Sequence, residues 1–333
     1  MRILFLVFIF SISTSSSADE GMWLPNLIST MNIDDMQSNG LSLSAEDIYS
    51  VNKSSLKDAV VALSWGSCTG EIISKGGLLL TNHHCADDLI QFHSTTEKDY
   101  LKNGFWAMNK SEELANENLT ASILVRIENV TERVFSKING SGTEEDRRKK
   151  IRAVANEISN EISDTSHYTS RLRSFYGGNE FYLFIYETFL DVRLVGAPPS
   201  SIGKFGGDTD NWMWPRHTGD FTLLRIYADT NNKPAKHSKE NVPYKPKYHF
   251  KIQLDGVENN DFTMVYGFPG TTDRYLTSFG VNQALKLKNK TIIDIRSKKL
   301  EIMKEGMDKN RETFLKYATK YSSVSYYWKY YIG

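Results

Sequence analysis

Short apolar runs, separated by glycine turns and polar stretches, fill most of the chain and predict β-strands. Three of them follow one another closely at 59–64, 69–74 and Leu78–Thr81, with Lys75-Gly76-Gly77 as the turn before the third. Further strands are predicted at 180–187, 189–195, 221–227, 248–252 and 262–266. Runs this short and this frequent indicate a mainly β domain.

Helical spacing of apolar residues occurs in two places. Between 143 and 163 one face carries Ile151, Val154, Ala155, Ile158 and Ile162. After about residue 276 the character changes, and 281–320 is lysine-rich with helical spacing. The chain stops in the aromatic-rich segment "YYWKYYIG", which needs a partner surface. We therefore predict a β-rich domain over 19–275 and the truncated start of a helical domain over 276–333.

Residues 1–18 are predicted to be a secretory signal peptide. Arg2 precedes the apolar run Ile3–Ile12, and Ser16-Ser17-Ala18 offers small residues for cleavage. A membrane anchor is the alternative, but the apolar run is shorter than the roughly 20 residues of a spanning helix. We expect an exported protein, periplasmic or extracellular, without stable membrane insertion.

Export changes the interpretation of the two cysteines, Cys68 and Cys85. In an oxidising compartment a pair at short separation is expected to form a disulfide. Two buried free thiols are the alternative.

Charge and ligand spacing exclude two other classes. The formal net charge is +0, so no basic excess indicates a nucleic-acid partner. The segment 83–88 holds five metal-ligand types, His83, His84, Cys85, Asp87 and Asp88. Adjacent residues rarely point at one ion, however, and the histidines show no H-x3-H spacing. We predict no metal site and no cofactor.

The segment "LLLTNHHC" follows two strands and a glycine turn and resembles the region around the catalytic histidine of chymotrypsin-like serine peptidases. By that match His84, next to Cys85, is the general base, and His83 is a supporting neighbour. An ordinary loop histidine is the alternative. A histidine base needs an acid that fixes its tautomer. The best candidate is Asp220, which follows a glycine at the edge of a predicted strand.

Four motifs together resemble the bacterial dipeptidyl-peptidase 7 and dipeptidyl-peptidase 11 family of serine exopeptidases: "DEGMWLP", "CTGEIISKGGLLLTNHHC", "GGDTDNWMWPRHTGDF" and "YGFPGTTDRYLTS". The resemblance implies part of a chymotrypsin-like double β-barrel with an inserted helical domain. It implies peptide substrates, release of dipeptides from peptide N-termini, and allows a homodimer of the full-length enzyme. It assigns His84 as base, Asp220 as its acid, and Asn211 and Trp212 to the substrate's α-amino group.

The chain departs from that family at two points. No serine in a glycine-rich turn follows Asp220, and the only G-S-G, Gly140-Ser141-Gly142, precedes it and is interpreted as a loop. Tyr326 stands where the family usually has an asparagine that holds the substrate N-terminus. We therefore expect the N-terminal part of a longer serine dipeptidyl-peptidase, inactive alone because its nucleophile is missing. The alternatives are a non-catalytic peptide-binding pseudo-enzyme and an endopeptidase of the same barrel class.

Overall fold

The computed structural model describes residues 22–140, 142–210, 212–270 and 276–333. The predicted signal peptide lies outside this part of the chain. An antiparallel sheet forms the centre of the molecule. Its strands are β1 (Val60–Leu63), β2 (Cys68–Ile72), β3 (Leu78–Thr81), β4 (Phe105–Trp106), β5 (Leu114–Ala115), β6 (Ala121–Asn129), β7 (Thr169–Phe175), β8 (Glu180–Phe189), β9 (Asp191–Ala197), β10 (Thr222–Ala228) and β11 (Val242–Pro243).

The strand order is β4-β9-β10-β3-β2-β1-β6-β8-β7, with β11 beside β10 and β5 beside β9. The sheet is therefore open, because β4 and β7 lie at opposite ends of this order. The prediction of a mainly β protein with helices is confirmed, whereas the double barrel is not. The predicted helix at 143–163 is also confirmed. It runs over Glu144–Thr165, and the Thr143 side chain caps it by accepting from the Asp146 N–H.

Eleven further α-helices accompany the described part of the sheet. The short or medium ones are α1 (Ile28–Met31), α2 (Ile33–Ser38), α3 (Ala45–Ile48), α4 (Asp87–Phe92), α5 (Tyr100–Asn103), α6 (Thr131–Ile138), α8 (Ser200–Gly203) and α9 (Gly207–Asp210), with Glu144–Thr165 as α7. The predicted helical region is formed by α10 (Ser278–Gln283), a π-helical turn over Ala284–Asn289, α11 (Lys290–Met307) and α12 (Arg311–Ile332).

No described helix has both the length and the apolar character required to cross a membrane.

The helices of 276–333 lie against the β-rich part through polar anchors. The Arg311 guanidinium donates to both carboxylate oxygens of Asp99, at 2.5 and 2.7 Å. The Gln91 side chain of α4 accepts from the Thr319 N–H at 3.1 Å. These contacts fix α12 beside α4. The boundary at 275 and 276 stays a prediction.

The strands predicted at 248–252 and 262–266 are wrong. Both segments are described, and neither belongs to a strand of the sheet. Phe250 makes a backbone bond, its N–H donating to the Ile72 carbonyl at 2.8 Å. Apolar side chains nearby face solvent, and Leu254 and Val265 are 90% and 101% exposed. An extended segment becomes a strand only when a neighbour pairs with successive N–H and C=O groups, and one backbone bond at Phe250 does not make such a ladder among the described residues.

A buried charge network joins β9 to the loop before β11. The Asp191 carboxylate is 1% exposed and accepts from Arg193, His237 and Asn241. Burial raises the pKa of Asp191, but these hydrogen bonds more than offset it and lower the pKa to about 2. The network therefore stabilises the fold only while Asp191 is ionised.

We predict that Asp191→Asn reduces the loss of stability in acid. The pKa of Asp191 is lower in the folded chain than in the unfolded one, so its contribution is present above about pH 4 and disappears as the pH falls toward 2. The contribution is on the order of 2 kcal/mol at neutral pH. Urea unfolding from pH 7 to pH 2 measures it, with the exposed Asp255 replaced by asparagine as control. Equal pH dependence in the two variants would contradict the prediction.

Candidate active site

The pairing of β3 with β10 creates the site. The two strands are antiparallel, and Thr81 at the end of β3 stands opposite Thr222 at the start of β10. The residues just after β3 and just before β10 therefore meet at one edge of the sheet. They are His84 and Asp220, which lie 136 positions apart in the sequence.

His84 and Asp220 form two hydrogen bonds. The His84 Nδ1 lies 2.7 Å from Asp220 Oδ2, and the His84 backbone N–H donates to Oδ1 at 3.0 Å. Because a carboxylate only accepts hydrogen bonds, the proton of the neutral ring lies on Nδ1. Nε2 then carries no proton. The Asn82 side-chain amide also donates to Asp220 Oδ2, at 3.3 Å. This arrangement leaves Nε2 able to accept a proton.

The two side chains differ in exposure. The His84 side chain is 45% exposed, whereas that of Asp220 is 15% exposed. Burial raises the pKa of Asp220, but the side-chain and backbone hydrogen bonds from His84 outweigh this effect, so the pKa of this carboxyl lies below its usual value. Asp220 is therefore ionised at neutral pH and can stabilise an imidazolium at His84.

A disulfide between Cys68 and Cys85 is present, as predicted, and it ties the histidine loop to β2. The sulfurs of Cys68 and Cys85 and a ring nitrogen of His84 lie within 4.8 Å of one another, close enough for metal ligands. The two sulfurs are bonded to each other, however, whereas a cysteine ligates a metal ion as a free thiolate. The geometry therefore favours a covalent anchor for the loop.

His83 has the opposite environment from its neighbour. Its side chain is fully buried, and Nε2 donates to the Pro198 carbonyl at 3.2 Å. The ring packs directly on Gly203 of α8, where a Cβ would stand 2.2 Å from His83 Cδ2. Nδ1 lies 3.1 Å from Asp87 Oδ1. His83 is thus a buried packing residue that joins the loop to α4 and α8.

Asp87 extends this anchoring to α12. Its buried carboxylate pairs with Lys204 Nζ at 2.5 Å and accepts from the Ser322 hydroxyl at 3.2 Å. Lys204 in turn donates to Ser322 at 2.8 Å. Burial raises the pKa of Asp87, but His83 and Lys204 more than offset this, and the pKa is lowered. The histidine loop is therefore held from the sheet side and from the helical side.

Trp212 lies in an aromatic cluster with two tyrosines of α12. Its ring centroid is 4.7 Å from that of Tyr326 and 5.1 Å from that of Tyr330, and its Nε1 donates to the Tyr326 carbonyl at 3.1 Å. The Tyr326 ring also stacks on His84, at 6.1 Å and 26°. Tyr326 thus neighbours both predicted site residues. Asn211 lies outside the described residues.

A cleft of about 670 Å³ opens beside His84. Its lining includes the disulfide, Asn82, His84 and the segment 264–269. Glu71 also lines the cleft, and burial raises the pKa of its carboxyl. The half-exposed face of His84 is therefore accessible to a peptide-sized molecule.

Comparison with known proteins shows which family this chain belongs to. A model of the Peptidase S46 family matches residues 18–333. The chain belongs to the peptidase S46 family. It is 47% identical over 333 residues to an Asp/Glu-specific dipeptidyl-peptidase of Flavobacterium psychrophilum, covering 100% of this chain and 47% of that protein. A dipeptidyl-peptidase 7 of Porphyromonas gingivalis is 44% identical over 318 residues, covering 96% and 44%.

A solved structure of a similar protein agrees with this family. The crystal structure of Porphyromonas endodontalis DPP11 in complex with the dipeptide Arg-Asp matches with a TM-score of 0.89 and 42% identity, covering 95% of this chain and 46% of that one. The resemblance to the dipeptidyl-peptidase 7 and 11 family is thereby confirmed. The chain spans about half the length of the curated relatives it matches.

The structure brings together His84, Asp220 and Trp212, which the sequence singled out, while their roles stay predictions. Sequence reasoning gave no role to Asn82, Lys204 or Gly203, and it considered Asp87 only as a metal ligand. Asn82 adjoins the histidine pair and could have been found by its position alone. The other three act through contacts with distant segments, for which the sequence contains no local pattern.

We predict that Gly203→Ala destabilises the protein by roughly 1–3 kcal/mol, because its Cβ would overlap the buried His83 ring. Gly142→Ala is the control, since no atom lies within 4 Å of a Cβ there. The free energy of unfolding in urea compares the two. Equal stabilities would show that His83 can move away without cost.

Proposed function

We propose that this chain is the N-terminal part of a serine dipeptidyl-peptidase that removes dipeptides from peptide N-termini. The observation that carries the proposal is the short hydrogen bond between His84 and Asp220 at the edge of an open cleft. The names of the relatives support it, since they are dipeptidyl-peptidases. The DPP11 structures with bound Arg-Asp and Arg-Glu support peptide substrates.

In the proposed mechanism His84 is the general base. Its Nε2 takes the proton of a serine hydroxyl supplied by the downstream half of the enzyme, and the serine oxygen attacks the carbonyl carbon of the second residue. The proton then passes from the imidazolium to the leaving amine, and water hydrolyses the acyl-enzyme by the same route. Asp220 holds the ring in the Nδ1–H tautomer and stabilises its charged form.

Trp212 supplies the reason for dipeptide release in this proposal. With Asn211 it would hold the substrate's α-amino group, through its indole face and an amide oxygen. Two extended residues span at most about 7 Å, so a fixed amino group limits which peptide bond reaches His84. The limit selects the second bond.

The downstream half would also complete the fold. The partly apolar segments at 248–252 and 262–266 belong to no strand of the described sheet, and residues 264–266 line the cleft. We propose that later strands pair with these segments to form the double barrel. Without that half the chain lacks its nucleophile and is inactive. We further propose export behind a signal peptide over 1–18 and a homodimer of the complete enzyme.

We predict that the enzyme read through beyond Gly333 releases dipeptides stepwise from free N-termini and spares N-acetylated peptides. Mass spectrometry of the products measures both. Asp220→Asn is expected to lower kcat about 10⁴-fold, because the carboxylate that fixes the Nδ1–H tautomer of His84 is lost. His84→Ala removes the base itself and is expected to lower kcat at least as much. His167→Gln is the matched control, because His167 is an exposed histidine just before β7, the strand at the far end of the sheet order.

Internal cuts in the same assay would favour an endopeptidase, and binding without cleavage would favour a pseudo-enzyme. A fluorophosphonate probe gives an independent result. It should label the read-through enzyme but leave the 333-residue chain unlabelled. Labelling of the shorter chain would refute the missing nucleophile.

A further inference from the structure

The side chain of Tyr326 on helix α12 neighbours two residues of the candidate site. The ring lies 4.7 Å from the Trp212 indole and stacks on the His84 imidazole at 6.1 Å and 26°. Both separations fall in the range in which aromatic pairs attract each other. Tyr326 therefore connects the predicted base with the predicted amino-group residue.

The Trp212 side of this stack is constrained. The backbone φ of Trp212 is +60°, a left-handed conformation that bulky residues rarely adopt. The indole is held by the rings of Tyr326 and Tyr330 and by its hydrogen bond to the Tyr326 carbonyl. Strained positions of this kind persist where surrounding contacts determine them, and they cluster at functional sites.

The His84 side has fewer restraints. Its ring is 45% exposed and is hydrogen-bonded to Asp220 through Nδ1. This single side-chain bond leaves the ring free to tilt by rotation about χ1 and χ2, which opens the bond and moves Nε2 away from the position where it must accept a proton. The Tyr326 ring lies beside the imidazole and nearly parallel to it, and it opposes the tilt. Catalytic groups need this kind of support, because misplacement by about 1 Å is costly.

We propose that Tyr326 is a positioning residue that fixes the orientation of the His84 imidazole, so that α12 sets the geometry of the His84–Asp220 pair. The ring performs this role, and the hydroxyl is dispensable. The functional meaning rests on the proposed peptidase activity, but the orientation itself is a property of the 333-residue chain and can be measured there.

The test uses proton NMR of the 333-residue chain. The Nδ1–H of His84, bonded to Asp220, exchanges with water when the ring tilts and the bond opens. Tyr326→Leu and Tyr326→Met remove the aromatic ring and should raise this exchange rate roughly 2- to 10-fold, the factor that one aromatic pair represents. Tyr326→Phe should restore the wild-type rate. Tyr330→Leu is the matched control, since it removes a ring from Trp212 but not from His84.

An unchanged exchange rate in the Leu and Met variants would overturn the proposal, even if the His84 ring-proton shifts move, because that result means contact without positioning. A Phe variant as fast as the Leu variant would also overturn it, by assigning the role to the hydroxyl. Circular dichroism identifies which variants keep the helix content of the wild type, and those variants decide.

A second measurement separates this proposal from the proposed function. In the read-through enzyme Tyr326→Leu should lower kcat by a similar factor, since His84 acts in the chemical step, whereas the lost contact with Trp212 should appear in KM. If the Tyr326→Leu variant exchanges faster but the read-through enzyme has no peptidase activity, the positioning role of Tyr326 stands and the proposed function is rejected. If the enzyme is an active dipeptidyl-peptidase but the Tyr326→Leu variant keeps the wild-type exchange rate, only the positioning role of Tyr326 is rejected.

Discussion

The antiparallel pairing of β3 with β10 is the constraint on which the site depends. It aligns Thr81 with Thr222, both buried, and so brings the ends of two distant strands to one edge of the sheet. The Thr81 hydroxyl also donates to the Thr69 carbonyl of β2 at 2.8 Å. A shift of one residue in this register would turn alternate side chains to the other face and separate His84 from Asp220. The geometry of the pair is therefore a consequence of sheet packing.

The adjacent histidines show how one loop serves two purposes. His83 is fully buried against Gly203, and His84 is 45% exposed beside the cleft. The buried ring anchors the loop to α4 and α8, while the disulfide anchors it to β2. With the backbone held on both sides, the exposed ring loses little freedom when it binds Asp220. The doublet is better explained by this division than by a metal site.

Much of the β-rich part could be predicted because its signals are local. The three strands around the turn at 75–77, the helix capped by Thr143 and the cysteine pair all follow from patterns within about twenty residues. The segments 248–252 and 262–266 show the limit of such patterns. Apolar alternation indicates that a segment suits a strand, but a strand also needs a partner. The contacts of Asp87 with Lys204 and Ser322 had no sequence signal for the same reason: 235 positions separate the first residue from the last.

The site is formed by two regions that differ in character, and its integrity depends on their contact. His84, Asp220 and Trp212 belong to the β-rich part, whereas Tyr326, Tyr330 and Ser322 belong to α12. Leu315 of α12 packs into the core of the β-rich part, and polar pairs accompany it: Arg311 with Asp99, Thr319 with Gln91, and Ser322 with Lys204 and Asp87. Polar contacts of this kind contribute modestly one by one and require accurate geometry. They therefore fix the register of α12 against the histidine loop more than they add stability, and that register determines where the Tyr326 ring meets His84.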